Sequence, residues 1–92
     1  MIKSWMHKGL KKFFETGSVA GIQAKHATKL SNILGLLNDA EEVKDMNVPG
    51  YGLHPLKGNM KGLWAVKVSG NWRIVFRFEN GDAYVVDYLD YH

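Results

Sequence analysis

The chain has 92 residues, enough for one hydrophobic core and not two, so a single domain spanning 1–92 is expected. Its composition (46% hydrophobic, 23% charged, two prolines) excludes a disordered or low-complexity chain, and the lack of cysteine excludes a disulfide framework or a thiolate metal site. The formal charge of +3 is too small to prove an anionic partner by itself.

The elements can be predicted in chain order. Ile2 to Trp5 reads as a short strand that leads into a charged segment, so neither a secretory signal nor a membrane span is expected. Leu10, Phe13 and Phe14 have one-sided helical spacing within Lys8 to Thr16, and Gly17 is a natural C-cap. Ile22, Ala27, Leu30, Ile33, Leu34 and Leu37 form a second amphipathic stripe from about Gly21 to Leu37. Asn38 to Asn47 predicts a short helical turn, and Val48 to Gly52 a loop.

Beyond the loop the apolar period changes to two: Trp64, Val66 and Val68, then Trp72, Ile74, Phe76 and Phe78. Ser69-Gly70-Asn71 and Glu79-Asn80-Gly81-Asp82 are hairpin turns, and Ala83 to Leu89 is a last strand whose two faces are equally apolar. Helices before strands argue for an α+β fold: two N-terminal helices on a curved, mainly antiparallel sheet of about four to five strands. Packing Trp72, Ile74, Phe76 and Phe78 against the helices turns Arg73, Val75 and Arg77 to the uncovered face.

Three segments hold the groups suited to phosphate chemistry: Leu53-His54-Pro55-Leu56-Lys57-Gly58, Gly70-Asn71-Trp72-Arg73, and Asp90-Tyr91-His92. Cleavage of RNA by its own 2′-hydroxyl needs a base, an acid and positive charge on the phosphate. His54, Asp90 and His92 are the proton-transfer candidates. A carboxylate beside His92 favours its imidazolium form, which suits a general acid. Tyr91 adds a phenol. Arg73 can fork two donors onto phosphate oxygens, and Lys57 can stand beside it as a point charge. In a continuous strand, though, the odd offset would separate His54 from Lys57, so their convergence requires a bend near Gly58.

The remaining candidates are weaker. Asn71 and Arg77 flank Arg73, and Tyr51, between two glycines, could stack on a base, although packing is the simpler role. His26 reads as a boundary side chain of the second helix. His54, Asp90 and His92 would also make a two-histidine, one-carboxylate metal set, but no HExxH pair or acidic cluster accompanies them, and neither metal nor cofactor is expected. Lysines crowd both the N-terminal segment (Lys3, Lys8, Lys11, Lys12) and the strand-rich half, which fits a polyanionic partner or simply a solvated face.

These segments, with Met1-Ile2-Lys3-Ser4 and Gly81-Asp82-Ala83-Tyr84, resemble the HigB branch of the RelE-like bacterial toxins along the whole chain. The resemblance implies a compact microbial RNase fold and a metal-independent endoribonuclease of a type II toxin–antitoxin system. Such a toxin cuts messenger RNA in the A site of the 70S ribosome, against 16S rRNA. It also implies roles for His54, Lys57, Arg73, Asp90, Tyr91 and His92, with Asn71 nearby. The implied partner is a HigA-like antitoxin with a helix-turn-helix domain, through which alone operator DNA is bound. The implied setting is the cytoplasm, with no membrane. A ribosome-independent RNase and a non-catalytic basic nucleic-acid-binding module are the competing readings.

Overall fold

The computed structural model describes residues 1–90. Helix α1, Lys8–Thr16, starts where His7 Nδ1 accepts the N–H of Leu10 at 2.9 Å. It ends where Gly17, at φ 80°, returns its N–H to the Phe13 carbonyl. A helix of nine residues has little stability of its own, so packing must hold it. Leu10 is fully buried, and Gly9 lies so close to Gly21 that an added Cβ would meet the Gly21 backbone at 2.6 Å.

The second helix starts later than its apolar stripe suggests. A 3-10 turn, Ala24–His26, precedes α2, Ala27–Asp39, which buries Leu30, Ile33, Leu34 and Leu37 completely. Each such side chain contributes about 1.5–3 kcal/mol by leaving water. The acidic stretch that follows forms a single 3-10 turn, Val43–Met46, with Asp45 accepting the N–H groups of Glu41 and Glu42. Those bonds hold the Asp45 carboxyl below the ordinary carboxylate range.

Four antiparallel strands follow in the order β1-β2-β3-β4: β1 His54–Pro55, β2 Trp64–Ser69, β3 Trp72–Glu79 and β4 Asp82–Asp90. Val66, Ile74, Phe76, Ala83, Val86 and Tyr88 face the helices in the main core.

The expected strand at Ile2 to Trp5 is a correction. The segment lies parallel to the outer edge of β4 but makes only two isolated bridges, Ile2 to Ala83 and Trp5 to Val86. Between them the Ser4 hydroxyl, not a main-chain carbonyl, takes the Val85 N–H at 2.8 Å, which interrupts the ladder.

Val85 explains the interruption. It sits at φ 50°, a left-handed conformation that a β-branched residue seldom adopts. The β3–β4 register slips by one residue between Val75 and Arg77, so Val85 is the extra residue of a β-bulge. The bulge reverses the alternation of β4: Ala83 faces the core before it, Val86 and Tyr88 after it.

The face opposite the helices is less open than the sequence predicts. Val75 does point there with Arg73 and Arg77, but it is buried with Leu56 and Ala65 in a small second cluster. The connection between β1 and β2 folds over it, adding Met60 and Leu63.

Candidate active site

His54 occupies the edge strand, where a following proline costs no ladder bond. Its exposed ring is oriented by its own loop: Nδ1 lies 2.9 Å from the Gly52 carbonyl oxygen. A carbonyl can only accept, so Nδ1 carries the proton and the lone pair of the neutral ring is on Nε2. That tautomer can accept a proton from a ligand.

Arg73 stands two strands away on the same face. His54 is paired with Ala65 and Ala65 with Val75, and Arg73 is two residues along β3 from Val75. Ordinary sheet spacings put the Cα atoms of His54 and Arg73 about 12 Å apart, a gap their side chains can close on a phosphodiester. The guanidinium is fixed by Nη1, which donates to the Gly70 carbonyl at 2.7 Å and the Trp72 carbonyl at 3.0 Å. Asn71, in the same turn, is exposed beside it.

Lys67 is the residue that sequence reasoning missed. It is directly opposite Arg73 in the β2–β3 register, and it is exposed. Like charges facing each other across a strand pair destabilise the fold, so folding does not explain this pair. Two cations facing each other on an exposed surface make a candidate seat for an anion. The signal was present in the alternation: if Trp64, Val66 and Val68 face inward, Lys67 faces outward.

The remaining predicted residues are placed unevenly. Lys57 lies beyond the two-residue β1, so strand alternation does not separate it from His54. It opens a 3-10 turn at Gly58–Met60, with Gly58 at φ 68° supplying the required bend. Arg77 is half-exposed on the Arg73 face, with Nε 3.9 Å from Glu79 Oε1. Asp90 ends β4 opposite Trp72, whereas its neighbour Leu89 is opposite Arg73, so the pleat turns Asp90 away from the Arg73 face. Tyr51 is buried in the main core with the Lys29 ammonium 5.0 Å from its ring centroid; packing is the role observed. Tyr91 and His92 lie outside the described residues, and with His92 so does the metal set considered with His54 and Asp90.

A family described as the RelE-like toxin of the type II toxin–antitoxin system HigB matches residues 3–92. The chain belongs to the HigB-like toxins. It is 47% identical over 92 residues, all of both chains, to the Endoribonuclease HigB of Proteus vulgaris. Membership of a type II toxin–antitoxin family implies a cognate antitoxin as partner. No helix among the toxin's described residues is long and apolar enough to cross a membrane.

Behind the candidate site the toxin carries an unexpected support. His26 is not a boundary side chain: it is 3% exposed, with Nδ1 2.5 Å from the Tyr88 hydroxyl. The sequence could not reveal this, because the partner lies 62 residues away. Trp72 packs on both rings, with centroids 5.8 Å from His26 and 4.5 Å from Tyr88. Burial, and secondarily Lys25, lowers the His26 pKa, and burial raises that of Tyr88. The cluster braces β3 and β4 at the end where Arg73 and Asp90 lie.

Proposed function

We propose that this HigB-like toxin is an endoribonuclease that cleaves messenger RNA in the ribosomal A site, without a metal. The Lys67–Arg73 pair carries the reading: two cations set side by side on the His54 face make a ready seat for a phosphate. His54 Nε2 removes the proton of the 2′-hydroxyl, whose oxygen attacks the adjacent phosphorus. Arg73, Lys67 and Lys57 hold the non-bridging oxygens as negative charge accumulates. The 5′-oxygen leaves with a proton assigned to Tyr91 or His92, while Asp90, turned to the other face of β4, has a supporting role, giving a 2′,3′-cyclic phosphate and a 5′-hydroxyl.

Asn71 and Arg77 are assigned to the RNA on either side of the cut. The whole chain acts as one domain in the cytoplasm, and basic surface outside the site meets 16S rRNA. A HigA-like antitoxin with a helix-turn-helix domain holds the toxin and alone contacts operator DNA. The name of the relative from Proteus vulgaris supports the reaction, and the outer-face cations support the substrate.

Mapping transcript 5′ ends after brief expression tests this reading. In-frame cuts confined to translated regions are the expected result. Cuts spread evenly over untranslated RNA would remove the ribosome from the account.

A further inference from the structure

A cleft of about 330 Å³ lies next to the candidate site, on the same face of the sheet. Met6, Met60 and Leu63 give it apolar walls, and Lys61, Arg77 and Asp87 line it as well. This volume is near the lower limit of small-ligand sites, with room for one nucleotide. Val75 is two residues from Arg73 along β3, so a chain whose phosphate rests on Arg73 would bring its neighbouring base to this opening.

The backbone indicates that the cleft is built. Val85, at φ 50°, lines it and is the extra residue of the β4 bulge. A valine rarely adopts that conformation, so the surrounding fold must hold it there. The consequence is a change of face. Without the extra residue, continued alternation would place Val86 outward and Asp87 in the core; with it, Asp87 pairs with Val75 and reaches the cleft. The strain thus sets a carboxylate into an opening whose other charged residues, Lys61 and Arg77, are cations. Asp87 Oδ1 is fixed by the Tyr88 N–H at 2.9 Å, leaving the second oxygen for a ligand.

We infer that this cleft is a nucleobase subsite for the RNA residue flanking the scissile phosphate, selecting a base that bears an amino group. The inference rests on the RNA-cleaving reading above. The base lies on Met60 and Leu63, its exocyclic amino group donates to Asp87, and Arg77 meets the adjoining phosphate. Adenine, cytosine and guanine satisfy Asp87. Uracil has no amino group, and its one N–H is flanked by two carbonyl oxygens that repel a carboxylate, so it is disfavoured.

Methionine methyl spectra test the subsite without cleavage. The probe is a short RNA made uncleavable by 2′-deoxy residues, added to the intact protein at millimolar concentration. Met6 and Met60 resonances are expected to shift while core Met46 stays still, and an all-uridine probe should bind about tenfold more weakly. Asp87→Asn should abolish that difference. Met60→Ala should weaken the base preference beside the cut in the cellular map. Unmoved Met6 and Met60 signals, or equal affinity for uridine, would overturn the subsite. Cellular cut mapping with the unaltered toxin judges the parent reading separately, so the two failures are distinguishable.

Discussion

His26 Nδ1 and the Tyr88 hydroxyl, 2.5 Å apart, join the start of α2 to the last strand. Burial keeps the Tyr88 phenol protonated, so its hydroxyl can donate to His26 Nδ1. The arrangement needs a neutral imidazole. The pKa of His26 is held below its ordinary 6.5, so between the two values the unfolded chain binds more protons than the folded one. The stability contributed by His26 should therefore rise with pH through that window and be lost as the solution is acidified through it. Urea midpoints should drop from about pH 7 to about pH 5, and His26→Gln should flatten the drop.

Tyr88→Phe keeps the ring and removes only the hydroxyl, so it isolates that bond. The loss leaves a buried imidazole nitrogen unpaired and should cost about 1–3 kcal/mol in equilibrium unfolding. A change of a few tenths would show that the bond is replaceable.

The glycines make a contrast. Gly9→Ala forces a methyl into the Gly21 backbone and should destabilise by about 1–3 kcal/mol, separating α1 from the chain behind it. Gly35 lies inside α2 with open space around it, and Gly35→Ala should stabilise by about 0.5–1 kcal/mol. Thermal melts of both variants check the pair.

Lys67→Ala should move stability and activity in opposite directions. Removing one of two facing cations should stabilise the fold by about 0.2–1 kcal/mol while slowing cleavage. Arg73→Ala should cost at least about 2 kcal/mol of transition-state stabilisation, and Arg73→Lys should not restore it, since lysine lacks the fork fixed by Gly70 and Trp72. A Lys67→Ala variant with full activity would remove the phosphate seat from the account.

His54 can be assigned by changing the leaving group. A substrate with sulfur at the bridging 5′ position departs without a proton, so only loss of an acid is rescued. His54→Ala should lose about 10²–10⁴ in rate on ordinary RNA and stay slow on the sulfur substrate. Rescue would make His54 the acid.

Much of the frame was legible in the sequence. Alternation from Trp64 to Val68 and from Trp72 to Phe78, with turns at Ser69–Asn71 and Glu79–Asp82, foretold three strands, because period and turn chemistry are local. Gly17 foretold the end of α1 for the same reason. What could not be read depends on remote parts of the chain. The fate of Ile2 to Trp5 is decided by the Val85 bulge, and valine is a poor advertisement for a left-handed residue. The same bulge reverses β4, which is why neither of its faces looked like the core. Arg73 and His54 were singled out from chemistry, and the register puts them on one face of the sheet. Lys67 needed only the alternation carried one step further, whereas His26 needed a partner 62 residues away.

The most direct measurement uses one RNA in two forms, identical except that the scissile nucleotide is 2′-deoxy in the second, presented to the toxin on programmed ribosomes. The first should be cut to a 2′,3′-cyclic phosphate and a 5′-hydroxyl, and the second should remain whole. Equal cutting of both would contradict attack by the 2′-oxygen, and with it the role of His54 as the base facing Lys67 and Arg73.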